Sequence, residues 1–500
     1  MQTSLEKTYK TKYLLPAILL MVGAFVLYAN TFGNAWTYDD FPVVVDNPDI
    51  RSLADFFVNS YPGRPLRELT YLVDHALFGL KPVGWHIQNI FWHGMNAALV
   101  FVVLCRLRVG VWAAWSASLL FLVHPIQVEV VANISHRKDS LAVCFALVAI
   151  LCHMEACTSV RHRLAWALGA LGAWLAALSA KQNVVVLPLV LLAYEYAFVA
   201  GSQRVLLKKR LLGIVAAPCA LFGGLFWYFK KSTFHDAISG LLQSKANYFD
   251  GATLELYYRM VLKSWMVMLG KVVFPADLAL EYTYSIPASW FDPWVVFAFL
   301  ILGAYGFGLW LSAKRCPIVF LGLVWAGAFF IPVANLWPLS YLAADRYLYA
   351  PIIGFCILFG LFLQRVVVLT AVRTVLLFVL VVVLVLLTWQ QNQVWKNPET
   401  LWTQAHMVSP DSAFALNNLG NVFLLQGDLL KSRDYYIKAI AVNPRNATAH
   451  YNLGMIFERV GLSSQAAQHY REFIRIDDAK FKDQANALLI RLEHQSRKGF

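Results

Sequence analysis

Eleven apolar blocks leave this chain few alternatives to crossing a membrane repeatedly. They cover residues 13–30, 86–107, 111–126, 139–154, 164–179, 184–200, 211–229, 292–312, 317–334, 347–363 and 372–389. Most come close to the roughly 20 residues that a helix needs to cross a bilayer. The chain is 59% hydrophobic and only 14% charged, whereas soluble domains carry about 25% charged residues. That excludes an ordinary soluble enzyme. The expected fold is all-α: a polytopic membrane helix bundle of about eleven transmembrane helices over 1–390, followed by a second domain over 391–500.

A net charge of +13 would suit a nucleic-acid partner, but its distribution argues otherwise. Lys7, Lys10, Lys12, Arg106, Arg108, Arg161, Arg163, Arg204, Lys208, Lys209, Arg210, Lys314, Arg315, Arg365 and Arg373 fall in short loops at every second gap between blocks. This is the positive-inside pattern, so those loops are expected in the cytoplasm. The N-terminus is then inside and, after eleven crossings, the C-terminus outside; no nucleic acid is expected. The first block is long and no small-residue cleavage site follows it, so it reads as a retained helix. The seven cysteines show no metal or disulfide spacing. The apolar stretch 258–274 carries Arg259, Lys263 and Lys271. It reads as an interfacial or re-entrant helix, because counting it as a span would break the charge alternation.

After residue 389 the composition turns soluble and a 34-residue period appears. Leu419, Gly420, Phe423, Gly427 and Tyr436 recur as Leu453, Gly454, Phe457, Gly461 and Tyr470. The pattern resembles tetratricopeptide repeats, about two and a half of them, forming an α-solenoid with 481–497 as a capping helix. Small residues such as Gly420 let paired helices approach, and the aromatics fill the space between them.

The first outer loop, 31–85, holds Tyr38-Asp39-Asp40, then Asp46, Asn47, Pro48 and Asp49, then Arg64, Arg67 and Glu68. Adjacent carboxylates at a membrane surface repel, so one pKa rises unless a cation or hydroxyl stands nearby. The same turn also reads as a solvated, helix-capping stretch, and Arg64, Arg67 and Glu68 as salt bridges that fold the loop. A second cluster, His124, Glu129, His136, Arg137, Lys138 and Asp139, reads either as part of a site or as a row of interfacial anchors. Lys181, Asp345 and Arg346 complete the outer set, while His86 and His93 read as packed core residues.

A transporter keeps its ionisable residues near the bilayer midplane. Here they gather at the outer ends of the blocks, where a polar headgroup meets a water-soluble partner. Carboxylates beside several Arg and Lys suit a transfer with a phosphate leaving group. A carboxylate takes the proton of an acceptor hydroxyl, and the cations hold the phosphate as charge develops on it.

Several short motifs now add up. They are Tyr38-Asp39-Asp40 with Asn47-Pro48, Arg64-Pro65-Leu66, His124-Pro125-Ile126-x-x-Glu129, Ala180-Lys181-Gln182 and Asp345-Arg346-Tyr347-Leu348-Tyr349-x-Pro351. With the membrane-then-repeat order, the chain resembles the GT-C glycosyltransferases, specifically the transmembrane-and-tetratricopeptide-repeat O-mannosyltransferases and their bacterial relatives. The resemblance implies a GT-C-like bundle that transfers a sugar, with inversion, from a polyprenyl-phosphate-linked donor. The acceptor would be a Ser/Thr hydroxyl of a protein, or another acceptor, on the extracytoplasmic face. The catalytic candidates are Asp39, Asp40 and Glu129, with the acidic residue of the first loop as base. Asp39 is preferred over Asp40, because Tyr38 would desolvate its immediate neighbour. The donor-binding candidates are Arg346 for the lipid phosphate, with Tyr349, Arg64, Arg137, Lys138, Lys181 and His124. No cofactor and no metal site are expected, the lipid-linked sugar being a substrate. The expected partners are that donor, the bilayer, and a protein acceptor recruited by the repeats. The chain has far fewer repeats than animal members and Asp345 where they have Glu, which points to a bacterial inner membrane. Two competing readings are a membrane-anchored repeat scaffold for envelope or pilus assembly, without catalysis, and a flippase or transporter. A scaffold needs one anchor helix, not eleven.

Overall fold

The computed structural model describes residues 2–59, 64–199, 254–337, 339–476 and 489–490, and every regular element among them is helical. The expected block 211–229 and all of the expected capping helix 481–497 but residues 489–490 lie outside the described residues.

The membrane part contains α1 (Gln2–Leu27), α2 (Leu53–Asn59), α3 (Pro65–Phe78), α4 (Pro82–Arg106), α5 (Val111–Val123), α6 (Val128–Ala132) and α7 (Arg137–Thr158). It continues with α8 (Arg163–Ala180), α9 (Leu187–Tyr194), α10 (Leu254–Val273), α11 (Pro293–Arg315), α12 (Pro317–Phe330), α13 (Ile352–Val366) and α14 (Thr370–Val394). Proline opens α3, α4, α11 and α12, where its missing N–H costs no hydrogen bond. Asp292 caps α11 by accepting the Trp294 N–H at 3.0 Å, and Lys314 and Arg315 close its last turn, the cation-favouring end of a helix.

Among the described residues, six helical runs are long and apolar enough to cross a membrane: Pro82–Arg106, Ile134–Thr158, Arg163–Ala180, Gln182–Val199, Pro293–Arg315 and Thr370–Val394. α5 and α6 make a seventh if read as one span bent by 52°; the bend falls at His124-Pro125, where proline breaks the helical ladder. Shorter apolar helices cover Tyr13–Leu27, Pro317–Val333 and Ile352–Val366. Each expected block within the described residues is therefore helical. α10 is not among the helices apolar enough to span.

Three boundaries differ from the sequence reading. The segment 31–85 is not an open loop: α2, α3 and the start of α4 occupy much of it. The block expected to begin at Tyr347 starts five residues later, because Asp345–Leu348 forms a 3₁₀ turn and the helix starts only after Pro351. At the other end α14 runs on to Val394, and Lys396 O accepts the Ala35 N–H at 2.9 Å. The Asn392 amide donates to Leu27 O and to Asn30 Oδ1. Residues 391–397 are thereby bound to the end of α1.

α4 packs against α1, α5 and α7, and α13 packs against both α5 and α12. A Cβ on Gly360 would lie 2.8 Å from the Ala113 carbonyl, and one on Gly354 would lie 2.8 Å from the Ala326 Cβ. Small residues at such crossings let helices approach closely where lipid offers no hydrophobic drive to pack.

Contacts divide the chain into two units, and residues 279–285 group with 398–476 rather than with the bundle. This second unit holds α15 (Pro398–Val408), α16 (Ala413–Leu425), α17 (Leu429–Val442), α18 (Ala447–Arg459) and α19 (Ser463–Ile476). Ser412, Asp428 and Asn446 cap three of them by accepting the N–H of Ala415, Lys431 and Ala449, each satisfying one orphan donor of a helix start. Gly427 and Gly461 end α16 and α18 at φ 81° and 79°, a region open to glycine at no steric cost. The fully buried rings of Tyr436 and Tyr470 lie against Gly420 and Gly454, so the 34-residue period is a repeated ring-on-glycine contact. Glu281 joins this unit through its carboxylate, which accepts the Ser412 hydroxyl, and its carbonyl, which accepts Ser409 Oγ at 3.0 Å.

A Cβ on Gly454 would sit 2.7 Å from the Tyr470 ring. Gly454→Leu should destabilise this unit by about 1–3 kcal/mol, the usual cost of overpacking. Limited proteolysis at rising temperature should cut within 398–476 earlier than in the parent chain, with the bundle fragments unchanged.

Candidate active site

The turn after α1 makes different environments for its two carboxylates. Tyr38 adopts φ 48°, an uncommon backbone for a residue with a side chain. The turn brings Asp40 back onto Thr37, whose N–H donates to Asp40 Oδ2 at 3.0 Å, and Ser135 N–H donates to Oδ1 at 2.8 Å. Asp40 is fully buried and ties the turn to the 3₁₀ segment Ile134–His136. Burial pushes its pKa from 3.8 up to about 7, against the pull of the two amides, with the Asp39 charge adding a smaller push. Asp39 is only half-buried, and among the described residues nothing hydrogen-bonds to its carboxylate. The sequence reading put the desolvation on Asp39 beside Tyr38. It falls instead on Asp40, because the turn points that side chain inward.

The second cluster separates into ties and a site. Arg137 is completely buried; Nη1 meets Asp74 Oδ2 at 2.5 Å, Nε donates to Asn89 Oδ1 at 2.7 Å and Nη2 to Trp85 O at 3.1 Å. Its guanidinium also lies 4.8 Å from the Tyr71 ring centre. Every nitrogen is occupied, so Arg137 is a structural tie between α3, α4 and α7 and not a phosphate ligand. His124 is a tie as well. Its Nδ1 accepts the Ile126 N–H at 3.3 Å, so Nε2 donates to Val272 O at 3.0 Å, joining the α5–α6 bend to the end of α10. The Tyr349 hydroxyl meets His93 Nδ1 and the Asn96 amide, both at 3.0 Å. Its polar end is used inside the bundle, and Tyr349 also lines the cleft described below. Glu68 accepts Arg67 Nε at 3.0 Å and the Asn47 amide at 3.1 Å, so that pair folds the loop.

Glu129 also differs from expectation. Its Oε1 pairs with Arg346 Nη1, and its Oε2 accepts the Arg346 backbone N–H at 2.7 Å. Both oxygens hold the arginine, which leaves Glu129 unsuited to act as a base. Burial disfavours the guanidinium charge, but Glu129 outweighs it and the Arg346 pKa is raised. The guanidinium lies 4.8 Å from the Tyr341 ring centre and 5.3 Å from that of Tyr347. The hydroxyls of Tyr341 and Tyr38 are 2.8 Å apart, which links the arginine's aromatic roof to the Asp39 turn. Burial, then the Asp39 charge, push the Tyr38 pKa up to about 12, so that hydroxyl is neutral.

Lys181, where α8 breaks, pairs with Asp139. His136 stands between the two ion pairs, with Nε2 3.8 Å from Glu129 Oε1 and Nδ1 3.7 Å from Asp139 Oδ2. Lys181, Asp139, Asn183, Arg346, Tyr347 and Tyr349 line one cleft. Five donors on a guanidinium and three on an ammonium exceed what one carboxylate takes from each, so both cations retain donors for an anion. Lys138 is buried and Arg64 half-buried at the start of α3, their charges acting on each other. Tyr341 and Asp74 were not singled out from the sequence, and His136 was read only as one member of a cluster. Asp74 and Tyr341 carry no local signal and are recognisable only by what they meet in space.

Residues 411–479 match a tetratricopeptide repeat family model. The mouse protein named "Protein O-mannosyl-transferase TMTC3" is 26% identical over 89% of this chain and 53% of its own length. The human protein of that name is 25% identical over 91% and 54%. The Caenorhabditis elegans "Protein O-mannosyl-transferase F38B6.6" is 25% identical over 92% and 62%. The chain resembles these proteins along nearly its whole length. It spans only about half the length of the mouse and human relatives. A crystal structure of ArnT from Cupriavidus metallidurans bound to undecaprenyl phosphate aligns with a TM-score of 0.37 and 15% identity, over 91% of this chain and 79% of that one. That likeness is loose.

The folded-state pKa of Asp40 lies above its value in a free chain, so the folded protein binds the extra proton. The associated stability is complete below about pH 4 and is lost as pH rises to about 7. The thermal midpoint should carry this downward slope, and Asp40→Asn should remove it. An unchanged slope in the variant would assign the titration to another group.

Proposed function

We propose that the chain is a membrane glycosyltransferase that moves a sugar from a polyprenyl-phosphate-linked donor to a hydroxyl, on a protein or another acceptor, with inversion. The observation that carries this reading is the convergence of Lys181 and Arg346 on one cleft, each held by a carboxylate, Asp139 and Glu129, with His136 between them, beside a turn whose Asp39 carboxylate accepts no hydrogen bond among the described residues. The names of the relatives support the reaction class.

In this mechanism the donor phosphate lies between Lys181 and Arg346. Asp39 accepts the proton of the acceptor hydroxyl as its oxygen attacks the anomeric carbon from the face opposite the phosphate. The bond from that carbon to the phosphate oxygen breaks, and its electron pair leaves with the polyprenyl phosphate. The two cations stabilise that growing charge in a site where water is scarce. Asp40 holds the turn, and Glu129 with Asp139 sets the positions of the cations. No metal ion is required, so turnover should not depend on added Mg²⁺ or Mn²⁺. The site and the repeats face the extracytoplasmic side of a bacterial inner membrane, and the repeats recruit a protein acceptor.

The reading is tested by incubating the purified chain with labelled polyprenyl-phosphate sugars and an acceptor. Asp39→Asn should lower turnover about 10²–10⁴-fold with donor binding retained. Arg346→Ala should cost about 30- to 1000-fold, mainly through the donor, as expected for one charge-assisted phosphate contact of about 2–4 kcal/mol. Full activity in both variants would reject this assignment of base and phosphate site. Removal of 410–500 should spare transfer to a small surrogate acceptor and reduce transfer to a native protein. Equal loss on both, with the bundle still folded, would end the recruiting role.

A further inference from the structure

At the end of α7 remote from the cleft, three side chains of different chemistry meet. His153 and Cys157 are four residues apart, so they lie one above the other on a helix face. Along α7 they lie roughly 21 and 27 Å from Asp139, at about 1.5 Å per residue. Glu195 reaches the same point from the end of α9, where the helix widens into a π-turn over Glu195–Val199. Such turns add a residue to the helical register and are frequent at functional sites.

The same nitrogen, His153 Nε2, lies 3.1 Å from Glu195 Oε1 and 3.7 Å from Cys157 Sγ, and Sγ is 4.0 Å from that oxygen. An ion pair between His153 and Glu195 would account for the first distance alone. It leaves one observation unexplained. Glu195 is 1% exposed and, among the described residues, its second oxygen, Oε2, is buried without a hydrogen-bond partner, which is costly for a charged group. The sulfur converges on the pair at the long distances of weak thiol hydrogen bonds.

We propose that His153, Cys157 and Glu195 form a binding site for a borderline-soft divalent transition metal ion, zinc being the expected occupant. Zinc bonds of about 2.3 Å to sulfur and 2.0–2.2 Å to nitrogen and oxygen, at tetrahedral angles, separate ligand atoms by about 3.4–3.6 Å. The observed separations lie within about 0.4 Å of those edges, so small side-chain adjustments suffice. Charge also balances. A neutral imidazole, a thiolate and a carboxylate sum to minus two, which a divalent cation cancels, leaving no net charge in a buried place. Binding displaces the thiol proton and any proton on Nε2. The ion ties the end of α7 to the end of α9 and keeps one coordination position for a small exchangeable ligand. Sulfur with nitrogen favours zinc over magnesium or calcium, which prefer oxygen.

The purified full chain, stripped with a chelator, is titrated with Zn²⁺ against a chromophoric competitor and, separately, with Co²⁺. One Zn²⁺ per chain is expected, together with a thiolate-to-cobalt charge-transfer band. Cys157→Ser should abolish that band and weaken zinc binding at least about 100-fold, as should His153→Gln and Glu195→Gln, with Cys105→Ser as an unaffected control. Zn²⁺ should also protect Cys157 of the unmodified chain from alkylation, a readout that needs no variant. Absence of one-to-one binding, a band that survives Cys157→Ser, or equal alkylation with and without zinc would overturn the site. None of these readouts depends on transferase turnover, so the inference stands or falls apart from the function proposed above.

Discussion

Charge in a bilayer-facing bundle must be paired, and that requirement organises the head of this one. A buried ion left without its partner costs on the order of 3–5 kcal/mol. The structure answers in two ways. Arg137 spends every nitrogen on Asp74, Asn89 and Trp85, and so cements three helices together. Arg346 and Lys181 are each held by one carboxylate, enough to keep them charged and placed but not enough to saturate them. Structural cations and candidate ligand cations are thus separated by how many of their donors remain, and not by residue type.

This separation explains why the fold was legible in the sequence and the site only in part. Span length and apolar content are local quantities, so ten blocks could be placed from sequence and appear as helices. The 34-residue repeat was readable for the same reason, since each glycine meets its tyrosine within one period. Partnership between charges is not local. Glu129 and Arg346 are 217 residues apart, and Lys181 and Asp139 are 42 apart. The run His136-Arg137-Lys138-Asp139 shows the difficulty best. At the start of a helix, successive side chains turn by about 100°, so four neighbours take four directions. His136 faces Glu129 and Asp139, Arg137 faces Asp74, Lys138 is buried where the Arg64 charge repels it, and Asp139 takes Lys181. A row that reads as one cluster is several contacts with different roles.

The two cations share a backbone context. Lys181 follows the last residue of α8 and precedes the 3₁₀ turn Gln182–Val186, and Arg346 lies in the 3₁₀ turn before Pro351. Irregular backbone at membrane depth survives only where protein or a wet cavity satisfies its polar groups. Here the Glu129 carboxylate takes the Arg346 N–H as well as its side chain. One acidic residue therefore stabilises both the charge and the break in the chain that exposes it.

The same economy joins the turn of the proposed base to the cation. Among the described residues nothing hydrogen-bonds to the Asp39 carboxylate, so its position rests on its neighbours. Asp40 anchors the turn on one side through two amides. Tyr38 anchors it on the other through the Tyr341 hydroxyl, and the Tyr341 ring covers the Arg346 guanidinium. A shift of Arg346 toward an anion would move that ring and, through one hydrogen bond, the residue beside Asp39. Lone carboxylates on mobile turns make poor bases because their approach to the acceptor varies. The aromatic pair supplies a constraint that adjacency of Asp39 and Asp40 in the sequence does not.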